Sequence, residues 1–181
     1  TCALPISAKM HLALDGLPAI DGVEEQEYGE RFVVAPDDVY VERAFNAAKY
    51  GETSDKPVFE ITFPSFRDQS LAPGGKHVMS AIVQYAPYSL KAGWSDATRQ
   101  SFLDTAIDCL GEFMPDLKQK IVASEMLTPA DIEKQFLITG GHWHHGELAL
   151  DQFLFTRPVG GAQQYAMPLD GLYLRSEEHT S

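Results

Sequence analysis

The segment HVMSAIVQYAPY, residues 77–88, constrains the fold more than any other stretch, because it is apolar on both faces of an extended chain. A strand with two apolar faces lies inside a β-sheet, where material covers both sides. Two other segments alternate apolar and polar residues, as half-buried strands do. Their apolar positions are Met10, Leu12 and Leu14 in the first and Phe59, Ile61 and Phe63 in the second. The sequence therefore predicts a sheet with residues 77–88 as a central strand.

Shorter strands and several helices complete this pattern. Two more strands are expected at RFVVAP and KQKIVASEML. Ser95 is the expected N-cap of the clearest helix, and Thr128, Pro129 and Asp131 form a capping-box-like start to another. A further helix is expected to end at Gly51. We expect a single α+β unit in which helices flank a mixed β-sheet.

The composition bounds the class of protein. With 44% hydrophobic and 22% charged residues, the 181-residue chain suits one sizeable globular core. Its net charge of -12 argues against a nucleic-acid partner, because binding to a phosphate backbone needs clustered Lys and Arg. No apolar run reaches transmembrane length, and cytoplasmic residence is the default expectation. Cys109 lies in a helical apolar pattern, so we expect a buried hydrophobe rather than a nucleophile.

The segment GGHWHHGELALD concentrates groups that are capable of chemistry. It holds His142, His144 and His145 together with Glu147 and Asp151. In an extended loop His142 and His144 point the same way, so with Asp151 they form a candidate zinc or iron site. The competing interpretation is a loop whose imidazoles bond to backbone or line a pocket, because no third ligand stands at helical spacing. Both interpretations stay open on the residues alone.

Sequence motifs for a nucleophile or a phosphate cradle are missing from the chain. It contains no G-x-S-x-G, no G-x-G-x-x-G and no G-x-x-x-x-G-K-[ST]. Aromatic side chains are frequent, and most of them fit a core. A minority is expected to line an apolar cavity, together with an arginine that either holds an anion or serves the structure. The aromatic residues concerned include Tyr85, Tyr88, Trp94 and Tyr165, and the arginine is Arg157.

The segment GGHWHHGELALDQFLFTRP and the later YAMPLDGLYL resemble the phytoene dehydrogenase-like FAD-dependent oxidoreductases, in particular the branch of pyridine nucleotide-disulphide oxidoreductase domain-containing protein 2. The matching positions are Gly140, Gly141, His145, Leu150, Asp151, Gln152, Arg157, Pro158, Tyr165, Pro168, Gly171, Leu172 and Tyr173. The segments KMHLALDGLP, KPVFEITFPSFRDQSLAPGGKHVMSAIVQYAPY and LTPADIEKQF are similar to the same branch in the same order. The resemblance covers essentially all of residues 8–174.

This resemblance implies an enzyme whose FAD accepts a hydride equivalent from an apolar small-molecule substrate. It implies a two-domain flavoprotein, in which residues 8–138 belong to the substrate-binding domain and residues 139–174 form a flavin-proximal loop and strand. The Rossmann segments of the flavin domain would lie outside this fragment. His145 is the expected catalytic contact. The residues expected to contribute to the substrate cavity are Tyr85, Tyr88, Trp94, Arg157 and Tyr165. The expected cofactor-binding residues are Gly140, Gly141, Gly146, Gly171, Leu172 and Tyr173.

Both ends of the chain differ in character from what lies between them. Gly171 to Leu174 reads as the start of a buried strand, but RSEEHTS, residues 175–181, offers no apolar position to continue it. With permissible codons, RSEEHTS is the translation of the start of a common sequencing adapter. TCALPI, residues 1–6, is the translation of the reverse complement of that adapter. We therefore expect residues 1–7 and 175–181 to be adapter-derived, and residues 8–174 to be a truncated coding fragment.

Two other functions compete with the flavoenzyme interpretation. The first is a stand-alone acidic α+β module that binds a hydrophobic ligand or partner without redox chemistry. The second is a metal-dependent enzyme that uses His142, His144 and Asp151. Under the flavoenzyme interpretation the isolated fragment is expected to be inactive, because it lacks the diphosphate-binding segments. Peripheral association with a membrane would accompany a lipid-like substrate.

Overall fold

The computed structural model describes residues 7–142 and 169–173. The chain divides into two compact units, with the boundary between His142 and Trp143. The first unit contains the strands β1 (Ser7–Leu14), β2 (Phe32–Val34), β3 (Val58–Thr62), β4 (His77–Gln84) and β5 (Ile121–Leu127). Its α-helices are α1 (Asp38–Lys49), α2 (Pro64–Arg67), α3 (Asp96–Gly111), α4 (Leu117–Lys120) and α5 (Pro129–Phe136). Short 3-10 turns occupy Glu25–Gly29, Gln69–Leu71 and Thr139–Gly141.

The five strands form one sheet in the order β2-β3-β4-β1-β5. β4 occupies the middle of the sheet, as its two apolar faces predict. The predicted α+β class with flanking helices is confirmed, but every described strand pairing is antiparallel, where the sequence had suggested a mixed sheet. The reason lies in the connection through α3 and α4. It joins β4 to β5, which run in the same direction, but β1 lies between them and pairs antiparallel with both.

One face of the sheet shares its hydrophobic core with α3. The core cluster includes Met10, Leu12 and Leu14 of β1, Phe59 and Ile61 of β3, Met79, Ala81 and Val83 of β4, and Phe102, Ala106 and Leu110 of α3. Phe63, just after β3, is also buried in this cluster. The two alternating stripes predicted from the sequence therefore both point into the core. Cys109 is a buried member of the same cluster, as its helical apolar pattern predicts.

Side-chain caps begin three helices. Asp37, Ser95 and Thr128 each accept a hydrogen bond from the backbone N–H three residues later, at the starts of α1, α3 and α5. Such bonds satisfy N–H groups that the first helical turn leaves without a partner. α1 ends before Gly51, whose φ of +72° suits the residue that follows a helix. Within the described ranges, none of the helices combines the length and the hydrophobicity needed to cross a bilayer.

Residues 169–173 are the described part of the second unit. The Leu172 N–H donates to the Leu169 carbonyl at 3.1 Å, and Gly171 has φ +80°, so these residues form a tight turn. Leu172 is 49% exposed and Tyr173 is 71% exposed. Tyr173 forms a β-bridge, so the predicted strand from Gly171 to Leu174 stays a prediction, although Leu172 and Tyr173 are exposed rather than buried. Asp170 and Gly171, which precede them, are residue types favoured in turns.

Candidate functional site

Helix α5 and the loop behind it contain the described residues closest in sequence to the predicted site. Leu137 follows α5 with φ +58°, and its N–H donates to the Glu133 carbonyl at 2.9 Å. A left-handed residue at this position ends a helix and reverses the chain. Gly140 and Gly141 continue the reversal, each with φ +68°. Residues 137–142 are called the α5 return loop below.

Gly141 packs directly against the first turn of α5. A Cβ atom on this residue would lie 2.1 Å from the carbonyl oxygen of Pro129. The Gly141 N–H donates to the Ile138 carbonyl at 2.8 Å. Only glycine combines the positive φ with such a close approach to another backbone segment. This contact fixes the path of the α5 return loop along its own helix.

The Glu133 carboxylate joins the α5 return loop to a segment that lies 45 residues earlier in the chain. Its Oε1 accepts the Gly140 N–H at 2.8 Å, and its Oε2 accepts the Tyr88 hydroxyl. The bond from Tyr88 lowers the pKa of Glu133, with a smaller contribution from Gly140, and the same bond raises the pKa of Tyr88. Tyr88, Glu133 and Gly140 are called the Glu133 bridge below. It connects a predicted cavity residue with a predicted flavin-proximal residue.

An ion pair holds the start of α5 against α3. Arg99 donates from Nε and Nη2 to the two carboxylate oxygens of Asp131, at 3.1 and 3.0 Å. Its Nη1 donates to Asp96 at 2.6 Å. Burial raises the pKa of Asp131, but hydrogen bonds from Thr128 and Arg99 outweigh burial and bring the pKa below its ordinary value. Asp131 is therefore ionised at neutral pH, and it holds α5 in place rather than donating a proton.

The three described aromatic residues that were predicted to line a cavity have different neighbours. Tyr85 packs edge-to-face on Phe45 of α1, with ring centroids 5.2 Å apart. Trp94 donates its Nε1–H to the Pro87 carbonyl at 2.9 Å. Tyr88 alone of the three has a hydrogen bond to α5 among the described contacts. The structure thus brings Tyr88 together with the α5 return loop, while the cavity assignment of all three aromatic residues stays a prediction.

A polar groove of about 470 Å³ lies between α3, β5 and α5. Its walls are formed by Asp96, Arg99, Gln100, Leu103, Ser124, Glu125, Met126, Leu127, Asp131 and Gln135. Two of its carboxylates, those of Asp96 and Asp131, already pair with its single guanidinium. Pockets for apolar molecules are lined mainly by hydrophobic and aromatic side chains. This groove therefore does not suit an apolar substrate, and no predicted cavity residue lines it.

Several predicted site residues lie outside the described part of the chain. They are His144, His145, Gly146, Asp151, Arg157 and Tyr165, and their assignments stay predictions. His142 is described and is half-buried at the end of the α5 return loop. Among residues 7–142 and 169–173, no three His, Cys, Asp or Glu side chains are grouped to hold a metal ion. The alternative metal site includes residues beyond those ranges and stays a prediction as well.

The described glycines that were predicted to bind the cofactor each have a role within the protein. The N–H groups of Gly140 and Gly141 donate to Glu133 and Ile138, so neither presents a free donor to a diphosphate. Gly171 occupies a turn that needs its φ of +80°, and a Cβ there would meet nothing within 4 Å. Contact with FAD stays a prediction for these glycines and for the adjacent Leu172 and Tyr173.

Sequence reasoning missed Glu133. The residue lies in the predicted helix TPADIEKQF, where a glutamate reads as an ordinary solvent-facing position. Its partners are a tyrosine that lies 45 residues earlier and the backbone of a glycine seven residues later. The Gly140-Gly141 pair indicates only that the helix is broken there. A break of this kind lets the chain turn back towards its own helix, and it is the one sequence signal for a partner of Glu133 in the loop after α5.

No protein-family profile matches the chain. Over 176 residues the chain is 36% identical to pyridine nucleotide-disulfide oxidoreductase domain-containing protein 2 of Mus musculus, a match that covers 92% of this chain and 30% of the mouse protein. The protein of the same name from Rattus norvegicus is 39% identical over 140 residues, covering 76% of this chain and 24% of the rat protein. The chain therefore spans less than a third of the length of these curated relatives.

Proposed function

Because the chain belongs to the family of pyridine nucleotide-disulfide oxidoreductase domain-containing protein 2, we propose that it is part of an FAD-dependent oxidoreductase that oxidises an apolar small molecule. The observation that carries the proposal is the 36% identity to the mouse protein over 92% of this chain. In such an enzyme FAD supplies the redox chemistry, by accepting a hydride equivalent from the substrate. The protein supplies binding, orientation and exclusion of water.

The proposal divides the chain between two tasks. Residues 8–138 contribute to the substrate-binding domain, and residues 139–174 lead towards the flavin. We assign His145 as the polar group nearest to the reacting atoms. We assign the apolar walls of the substrate cavity to Tyr85, Tyr88, Trp94 and Tyr165, and an anion-holding or structural role beside it to Arg157. The Glu133 bridge supports this division, because it connects Tyr88 to the loop where the second part begins.

Three further points belong to the same proposal. The substrate is an apolar molecule of the phytoene type, and a lipid-like substrate brings the enzyme into peripheral contact with a membrane. The protein resides in the cytoplasm. The isolated 181-residue chain is inactive, because its sequence contains no G-x-G-x-x-G and therefore lacks the segment that binds a dinucleotide diphosphate.

The flavin content of the full-length protein containing this chain tests the proposal. The purified protein should show flavin absorption bands, and denaturation should release FAD that chromatography identifies against FAD and FMN standards. The isolated chain, purified in the same way, is the matched control and should carry no flavin. A full-length protein that stays colourless after incubation with excess FAD would overturn the proposed function.

A second measurement tests the assignment of His145. Anaerobic reduction of the bound flavin by an apolar substrate should become slower in His145→Ala, because the group nearest to the reacting atoms is removed. His77→Ala is a control of the same chemistry, since His77 lies in β4 and bonds to Ser65 rather than to the α5 return loop. Equal reduction rates in the wild type and in His145→Ala would remove His145 from the mechanism.

A further inference from the structure

We infer that Glu133 is a positioning residue, and that its carboxylate holds Tyr88 and the α5 return loop in one fixed arrangement for the oxidation proposed above. The inference rests on the proposed function for its purpose, but the arrangement itself is a property of the described residues. Tyr88 is one of the residues assigned to the walls of the substrate cavity. Gly140 begins the segment that leads to His145. Glu133 is the side chain that contacts both of them.

The geometry uses both oxygens of the carboxylate. Oε1 accepts the Gly140 N–H at 2.8 Å, and Oε2 accepts the Tyr88 hydroxyl, so the two partners are held on one rigid planar group. Acceptance by an ionised carboxylate makes both bonds charge-assisted, and such bonds are stronger than those between neutral groups. Without the Glu133 carboxylate, the Gly140 N–H and the Tyr88 hydroxyl both lose their acceptor.

The platform that carries Glu133 is itself fixed at both ends. Arg99 holds the first turn of α5 through two bonds to Asp131. At the other end, the Leu137 N–H donates to the backbone carbonyl of Glu133 and closes the helix. Gly141 then packs on Pro129. The glutamate therefore stands on a helix whose position is set independently of its own side chain.

The strained backbone of Leu137, directly after α5, supports a positioning role for Glu133. Leu137 adopts φ +58°, a conformation in which glycine or asparagine is favoured. Its side chain is 88% exposed, so burial of the leucine does not offset this conformational cost. The chain thus keeps an unfavourable residue at the reversal. Such local strain persists only where surrounding contacts hold it, and the Glu133 bridge and the Gly141 contact are those contacts.

Replacing Glu133 separates position from charge. Glu133→Ala removes both acceptors. Glu133→Gln keeps an oxygen for the Gly140 N–H and offers an N–H to the Tyr88 hydroxyl, so it preserves both contacts without the negative charge. Tyr88→Phe removes one contact and leaves the other. If Glu133 acts through position, the glutamine variant should resemble the wild type and the alanine variant should not.

Hydrogen exchange at the Gly140 amide in the full chain measures the bridge directly. Loss of a hydrogen bond to an ionised acceptor should accelerate local exchange by about tenfold or more in Glu133→Ala. The rate in Glu133→Gln should lie between those of the wild type and Glu133→Ala, because a neutral bond to Gly140 remains while its charge assistance is lost. Exchange at the Val83 amide in β4 reports global unfolding. Its rate in each variant should therefore follow the free energy of unfolding of that variant. Unchanged Gly140 exchange in Glu133→Ala would overturn the inference.

Flavin reduction in the full-length protein tests what the bridge is for. With flavin bound normally, Glu133→Ala should reduce the flavin more slowly than the wild type, and Glu133→Gln should restore most of the rate. Faster Gly140 exchange combined with an unchanged reduction rate would overturn the positioning role. A wild-type protein that binds no flavin would instead overturn the proposed function, and with it this role, while the exchange data would still decide whether Glu133 holds Gly140.

Discussion

Substituting alanine for Gly141 should detach the α5 return loop from its helix. The new Cβ would lie 2.1 Å from the carbonyl oxygen of Pro129, 2.7 Å from its carbonyl carbon and 2.8 Å from its Cα. These are backbone atoms of a helical first turn and do not yield as a flexible side chain does. The loop would have to retreat by about 1 Å or more to reach an acceptable separation. Alanine also pays about 1–2 kcal/mol for the left-handed conformation at φ +68°.

The loss of unfolding free energy in Gly141→Ala has a steric part and a conformational part, and a control variant separates the two. Forcing an extra carbon into a filled site costs about 1–3 kcal/mol, so Gly141→Ala should lower the free energy of unfolding by about 2–5 kcal/mol in total. Gly22→Ala is the matched control, because Gly22 has φ +75° and a Cβ there would meet nothing within 4 Å. It should lose only the conformational part, about 1–2 kcal/mol. Urea unfolding followed by circular dichroism measures both. Equal losses in the two variants would refute the reasoning.

Further substitutions test the contacts of α5 and α3. Arg99→Lys should lower the free energy of unfolding by about 0.5–1 kcal/mol, because lysine cannot reproduce the paired bonds to Asp131; an unchanged urea midpoint would show that solvent screening cancels the pair. Burial raises the pKa of Asp131, but the hydrogen bonds from Thr128 and Arg99 lower this pKa by more than burial raises it. The stabilising contribution of Asp131 is therefore complete above the ordinary carboxyl pKa and is lost as the pH falls through the lowered pKa of the folded state. Asp131→Asn should therefore unfold with less dependence on acid than the wild type, and equal acid dependence would contradict this. Thr128→Ala should lose about 1–2 kcal/mol of unfolding free energy in urea and Thr128→Ser much less, since only the alanine removes the capping oxygen of α5; similar losses would argue against the cap. In a Cys2→Ser background, Cys109 should react with a maleimide only after unfolding, because it is 3% exposed and burial raises its pKa, so rapid labelling of the folded chain would contradict its burial.

Local chemistry made much of the fold predictable. The alternation of Met10, Leu12 and Leu14 specified a strand with one buried face, and the same three residues lie in the core. Ser95 and Thr128 announced the starts of α3 and α5, because a capping side chain acts on its own helical turn. These signals span a few residues, so a single sequence contains all the information they need.

Strand order and the Glu133 bridge depend on partners distant in sequence. Nothing near β1 indicates that it separates β4 from β5, and that position decides that the sheet is antiparallel. Tyr88 reads as one of many aromatic residues, and its partner lies 45 residues away. The pair Gly140-Gly141 predicted a break in the chain, but the close approach to Pro129 depends on how far the loop folds back. Periodicity and capping rules use only residues that are close in sequence, so they cannot predict such contacts.

The strand order also sets the sequence of events by which the sheet is assembled. β1 is the first of the described strands, yet both of its neighbours come much later: His11 lies opposite Ser80 on one side and opposite Glu125 on the other. As the chain leaves the ribosome, β1 must wait for β4, and one edge of β1 stays open until β5 has been made. Pairing over such separations carries a high loop-closure cost and makes folding slow. Until β4 and β5 have both been synthesised, β1 therefore lacks the strands that pair with it, and unpaired apolar strands are prone to aggregation.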